Sequence, residues 1–321
     1  MAGGRILGAL RMEKTGRRSL LIAAGILAAF TCPIAVVRAQ TTVPPPVVAT
    51  VAVPAKTILF VGNSFTQGAH SAVRRYRADT VTDLTNDGTG GVPAIFKLMT
   101  QEAGLNYNVS LETQGGTGLE FHYATRRALL DRRWDVVVLQ EFSTLDRARP
   151  GDPGSLVTYS RLLAAMFRQR NPAVRIELSS TWSRADETYQ PMGHWFGKPI
   201  TAMALDLRAG ANLALANRSI DGIIPIGEAW NRAFAEGVAD PNPYDGTDFG
   251  KVDLWTYDQY HASTAGYYLE ALMIFGKVTG RDPRSLGANE KAADDLGLSP
   301  RLAALLRDIA FRQLEAEKGA R

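Results

Sequence analysis

Asp135-Val136-Val137-Val138-Leu139 carries no alternation of polar and apolar residues. A strand with one wet face alternates; a nearly continuous apolar run needs cover on both faces, as in a parallel sheet wrapped by helices. From Lys56 onward the chain keeps supplying the parts of such a sheet. Short runs rich in β-branched residues predict strands at Thr57–Val61, Tyr107–Glu112, Asp135–Leu139, Val174–Ser179 and Gly222–Ile226. Longer amphipathic runs predict helices at about Val92–Ala103, His122–Arg132, Leu156–Arg170, Ile200–Asn217 and Ala262–Val278, with a last helix opened by Pro300. Alternating strand and helix gives an α/β fold: a parallel sheet with helices on both sides. In such sheets a ligand sits beyond the carboxyl ends of the strands.

The first residues read differently. Residues 1–39 hold six basic residues against the single acid Glu13. Their net charge of +5, set against +4 for the whole chain, leaves −1 for the remainder, so the electrostatic footprint of a nucleic-acid partner is missing. A basic stretch ending at Arg17-Arg18, an apolar run from Leu20 to Val37 and small residues at Val37 and Ala39 predict a secretory signal over residues 1–39. The competing reading is an uncleaved anchor, for which 18 residues interrupted by Thr31, Cys32 and Pro33 are a marginal span. With cleavage, no stable membrane anchor is left and the protein is exported, either periplasmic or secreted. Cys32, the one cysteine, would leave with the signal, which excludes thiol catalysis and cysteine-held zinc. Residues 40–55, with Pro44-Pro45-Pro46, predict an extended lead-in to a domain over 56–283, followed by a helical extension over 284–321.

Several polar groups fall where strands end. Gly62-Asn63-Ser64 follows the first strand; glycine and serine there ordinarily just make a turn. The flanking residues do not form a Gly-x-Ser-x-Gly elbow. Gln114-Gly115-Gly116-Thr117 follows the second strand, where glycine lets backbone N–H groups approach a ligand. Gln140-Glu141 closes the third. Asp258 and His261 stand three residues apart, close enough for the carboxylate to orient the imidazole. A hydroxyl, an imidazole and a carboxylate are the parts of a serine hydrolase. His70, His122 and His194 show no comparable partner in the sequence; the first and last read as surface or loop residues.

In order and spacing these blocks resemble the SGNH (GDSL-like) hydrolase superfamily, and within it a bacterial subgroup of uncharacterised exported proteins. The resemblance covers about Lys56 to Pro283. It implies a three-layer α/β/α flavodoxin-like fold with a central parallel sheet of about five strands. It implies Ser64 as nucleophile, His261 as base and Asp258 as its orienter. The oxyanion donors it implies are the N–H groups of Ser64 and Gly116 and the side-chain amide of Gln140. Gln140 departs from the superfamily, which carries asparagine in that block. The implied activity is ester hydrolysis without metal or cofactor, on a small-molecule or carbohydrate ester. O-deacylation of a carbohydrate leads. A lipid or simple carboxylic ester is the nearest rival, and a non-catalytic carbohydrate-binding protein on the same fold is the other class. The insertions Gly68–Val92 and Asp240–Trp255 are either solvated loops or the walls of the site, where Tyr244 and Trp255 would suit stacking. Asp240, Asp245, Asp248 and Asp253 miss the spacing of a calcium loop and are expected to form turns.

Overall fold

Lys56–Gly62 (KTILFVG) enters the interior after two residues, and its next five are buried. This strand, β1, is the axis of the fold in a computed structural model that describes residues 54–319. The expected signal segment and most of the lead-in lie outside the described residues. The further strands are β2 (Thr82–Asp83), β3 (Tyr107–Thr113), β4 (Val136–Leu139), β5 (Arg175–Ser180) and β6 (Gly222–Pro225). They form one six-stranded sheet in the order β2-β3-β1-β4-β5-β6, with every pairing parallel. Without the two-residue β2, which the sequence did not announce, the five long strands run second, first, third, fourth, fifth. That is the flavodoxin-like order, whose switch point lies beside the first strand.

The alternation within each strand sorts the two faces. Ile58 and Phe60 of β1, Val136 and Val138 of β4, and Ile224 of β6 point into one core. The helices α1 (Gly91–Glu102), α7 (Ile226–Ala235), α8 (Thr264–Thr279), α9 (Lys291–Asp295) and α10 (Pro300–Gly319) supply its other wall. Leu59, Val61, Val137, Leu139, Ile176 and Leu178 point the other way, towards α2 (Leu119–Thr125), α4 (Gly154–Arg170) and α6 (Thr201–Ala216). Two expectations shift. The helix expected over His122–Arg132 is two pieces, α2 and the single turn α3 (Arg127–Leu130). Ile226, expected to end a strand, opens α7, a helix that the sequence reading missed. Pro225 cannot extend the ladder, and Trp230 and Ala233 then bury at helical spacing.

The insertion over Gly68–Val92 is not a free loop. Tyr76 donates its hydroxyl to Asp295 of α9 at 2.7 Å, and Arg77 pairs with the same carboxylate at 2.7 Å. Nor is Trp255 available for stacking on a ligand: it is 2% exposed and donates Nε1–H to the Ser183 carbonyl at 3.0 Å. It ends an aromatic series that runs inward from the first loop. Phe65 stacks on Trp182 at 4.1 Å between centroids, and Trp182 on Trp230 at 4.8 Å. Trp230 in turn meets Trp255 edge-on at 5.3 Å. The Asp240 cluster makes turns: Asp240 accepts from the Asn242 and Asp248 N–H groups at 3.0 and 2.9 Å.

Trp182 is fully buried and also donates to the Tyr260 carbonyl at 3.2 Å. Trp182→Ala is expected to cost about 3–5 kcal/mol. Denaturant unfolding checks this, and an unshifted midpoint would deny the stack its role.

Candidate active site

The ends of β1, β3 and β4 meet at one edge of the sheet, and the loops that leave them are tied together. Gln114 N–H donates to the Gly62 carbonyl at 3.0 Å. Asn63 donates from Nδ2 to the Thr117 and Glu141 carbonyls at 2.8 and 3.3 Å, and its Oδ1 accepts from Phe65 N–H at 3.1 Å. Asn63, a residue to which the sequence reading gave no role, therefore links all three loops from the position before Ser64. Val92 N–H at the start of α1 donates to the Thr66 carbonyl at 3.1 Å and closes the loop from the other side.

Ser64, His261 and Asp258 come together on this edge across 197 residues of sequence. The Ser64 hydroxyl lies 2.9 Å from His261 Nε2. His261 Nδ1 lies 2.6 Å from Asp258 Oδ2. The carboxylate partner fixes the tautomer: Nδ1–H donates to Asp258, and Nε2 is free to accept the Ser64 proton. The other oxygen of Asp258 accepts from the backbone N–H groups of Tyr260 and His261 at 3.1 and 2.9 Å. The short Asp-x-x-His spacing is thus a tight Asx turn that presents one carboxylate oxygen to the ring. Gln259 inside it is left-handed, with φ 57°. Its carbonyl accepts from Ala185 and Asp186 at 3.1 and 3.3 Å, which anchors the turn to α5 (Ala185–Tyr189).

The electrostatics keep these groups in the required states. Burial would raise the Asp258 carboxyl, but the hydrogen bonds from His261 and from two backbone N–H groups outweigh it and hold its pKa below the usual value. Burial depresses the His261 imidazole below 6.5, against the opposing pull of Asp258. His261 is therefore a neutral base near pH 7, next to an ionised carboxylate.

Gln140 is where expectation and structure part. Its side-chain carbonyl accepts from the Asn63 N–H at 2.9 Å and from the Thr66 hydroxyl at 3.1 Å, and its amide nitrogen donates to the Glu141 carbonyl. The group is 1% exposed. The side-chain carbonyl is turned back into the Ser64 loop, so Gln140 holds the chain on both sides of Ser64. Gly62 makes room for it, since a Cβ there would lie 2.8 Å from Gln140 Oε1. The other two expected donors are backbone groups. The N–H groups of Ser64 and of Gly116, a left-handed residue with φ 72°, have no acceptor among the described residues.

His122 does have a partner. It is buried, with Nδ1 2.5 Å from Glu112 Oε2 and Nε2 3.4 Å from the Thr117 hydroxyl. The pair lies under the glycine loop after β3. His194 is exposed. His70 stands beside the hydrogen-bonded Ser64, His261 and Asp258, its ring 4.3 Å from that of His261, and no local signal in the sequence pointed to it. Glu141 is buried too. Its Oε1 accepts from the Leu119 and Phe142 N–H groups at 3.1 and 2.7 Å, and burial pushes its carboxyl up to about 7.

The sequence matches no family model and no curated protein. A DUF4886 family protein from Bacteroides uniformis superposes with a TM-score of 0.57 over 81% of this chain and 95% of its own, at 17% identity. What the two share is the fold. A variant of an acetyl-xylooligosaccharide esterase from Geobacillus Stearmophilus aligns at a TM-score of 0.46 and 17% identity, over 70% of this chain and 94% of its own. A carbohydrate esterase family 3 structure from Talaromyces cellulolyticus aligns at 0.43 and 11%, over 70% and 97%.

Gln140→Leu keeps the bulk of the side chain and leaves the buried Asn63 N–H without an acceptor. A stability loss of about 1–3 kcal/mol is expected. Equal unfolding midpoints for the two proteins would deny Gln140 its holding role.

Proposed function

We propose that this chain is an SGNH-type serine esterase that hydrolyses an acyl ester. The observation that carries the reading is the continuous relay of Ser64, His261 and Asp258 at 2.9 and 2.6 Å, at the carboxyl edge of a parallel sheet. As the Ser64 oxygen attacks the ester carbonyl, His261 Nε2 takes its proton. Asp258 stabilises the imidazolium that forms. The N–H groups of Ser64 and Gly116 receive the oxyanion, and each such donor is worth roughly 10²–10³ in kcat. Collapse returns the proton from His261 to the leaving alkoxide and leaves an acyl-Ser64. Water then gives its proton to His261, attacks the acyl carbon and releases the acid and free Ser64.

For the substrate we favour O-deacylation of a carbohydrate. Tyr257 is 75% exposed next to Asp258, and Tyr244 is 43% exposed on the loop that precedes it, so aromatic faces are available beside the relay for a sugar ring. A second reading has its own observation. A cavity of about 560 Å³ borders Gly116 and is lined in part by Phe121, Phe142 and Leu145, which suits the acyl chain of a lipid or simple ester. Export to the periplasm or medium belongs to the same proposal and rests on the N-terminal sequence.

A panel of acetylated sugars and p-nitrophenyl esters of graded chain length separates the two substrate readings. Ser64→Ala is expected to lower kcat by about 10⁴–10⁶-fold on every ester that is turned over. Full retained activity would sink the assignment, and failure to react with a serine-directed phosphonate would favour a non-catalytic binding protein. The pH profile carries a sign. Because the folded enzyme holds His261 below 6.5, the acid limb of kcat/KM should have its midpoint below pH 6.5. Activity is lost only as pH falls through that depressed value, and a midpoint above 6.5 would contradict the assignment.

A further inference from the structure

His70 enters the site from the loop after Ser64. Its Nε2 lies 4.0 Å from Asp258 Oδ2. Its Nδ1 lies 2.6 Å from the Tyr257 hydroxyl. The backbone is left-handed, with φ 61°, and its carbonyl accepts from the Thr256 hydroxyl at 3.2 Å, so the residue is held in place rather than loosely draped. One ligating atom from each of His70, Asp258 and His261 falls within 4.8 Å of the other two. The His70 side chain is 41% exposed and that of Asp258 23%, which leaves the gap open to solvent.

Two imidazoles and a carboxylate are a donor set for zinc, copper(II) or nickel(II), not for calcium or magnesium. A ligating histidine ordinarily donates its other ring N–H to a fixed partner. With Nδ1–H directed at the Tyr257 oxygen, His70 turns the lone pair of Nε2 towards Asp258. Bonds of about 2.0–2.1 Å put neighbouring ligands of a tetrahedron about 3.4 Å apart. The observed separations bracket that value, at 2.6 Å for His261 to Asp258 and 4.0 Å for His70 to Asp258. Side-chain movements of under about 1 Å would seat an ion, with the fourth position left to water. The opposing charge in the neighbourhood is the Arg184 guanidinium, which lies over the Tyr260 ring at 3.6 Å and is paired with Asp186.

We propose that His70, Asp258 and His261 form an inhibitory site for a divalent ion of the zinc and copper class. The inhibition rests on the esterase reading above; the binding does not. On binding, the metal takes the lone pair of His261 Nδ1, and the proton that Nδ1 carried passes through solvent to Nε2, so the ring stays neutral. Asp258 turns its charge from the imidazole to the ion. With the metal on Nδ1 and the proton on Nε2, the ring has no lone pair left to accept the Ser64 proton, so the relay stops while the ion is bound. Removal of the ion restores it, because no covalent bond has changed.

Untagged, chelator-treated protein provides the test. Calorimetric titration with zinc should give one ion per chain, unchanged in Ser64→Ala and weakened at least about 10-fold in His70→Ala. Copper(II) electron paramagnetic resonance should show two imidazole nitrogens in the native protein and one in His70→Gln, a second variant whose far-UV circular dichroism checks its folding. Zinc should inhibit the native esterase reversibly, and the ratio to each protein's own metal-free rate should lose its zinc dependence in His70→Ala. Equal zinc affinity with and without His70 overturns the site. Undiminished turnover with the site filled overturns the inhibition. If no ester is hydrolysed at all, the esterase reading falls, while calorimetry and resonance still decide the metal site.

Discussion

The carbonyl oxygen of Gln140 is the point on which the catalytic edge depends. It accepts the Asn63 N–H and the Thr66 hydroxyl in a buried setting, so the end of β4 dictates the path of the chain immediately before and after Ser64. β1 and β4 are adjacent, with Val61 paired to Leu139, and the hydrogen bond therefore prolongs the ladder by one side chain past the last strand residues. A buried donor cannot leave such a partner without loss of the full cost of desolvation. This gives the nucleophile loop the stiffness of the sheet.

Beneath it, packing does what hydrogen bonds do above. Phe65, in the nucleophile loop, lies flat on Trp182, and Trp182 donates to the carbonyl of Tyr260, the residue before His261. One ring thus supports both halves of the relay, although the two come from opposite ends of the domain. The turn that carries Asp258 is held from a third side by α5 through the Gln259 carbonyl.

The sequence was most readable where physics acts locally. Apolar runs covered on both faces, glycine and proline at element ends, and an Asp-x-x-His turn each leave a short pattern; the roles expected of Ser64, Asp258 and His261 came from the order of such blocks, and the fold brings the three side chains together. What escaped depends on partners far away in the chain. Glu112 meets His122 only because β3 and α2 fold back on each other. His70 reaches Asp258 through a loop whose path is set by Tyr257 and Thr256. Trp255 looked like a surface aromatic in a polar loop, yet it joins an aromatic series with Trp230, Trp182 and Phe65, which lie 25 to 190 residues earlier. The part Gln140 plays in holding the Ser64 loop likewise depends on partners 77 and 74 residues away, Asn63 and Thr66.

The relay also has a direction in time. Ser64 leaves the ribosome early, and His261 follows 197 residues later, immediately before α8. α8 is itself packed against α10, which follows it in the chain. Strands β1 to β6 can all have been synthesised while the base is still missing. A nascent chain therefore carries Ser64 without its hydrogen-bond partner until His261 has been made, and the relay is completed late in the domain. Under the proposed esterase reading, that delay is a form of latency written into the order of the chain.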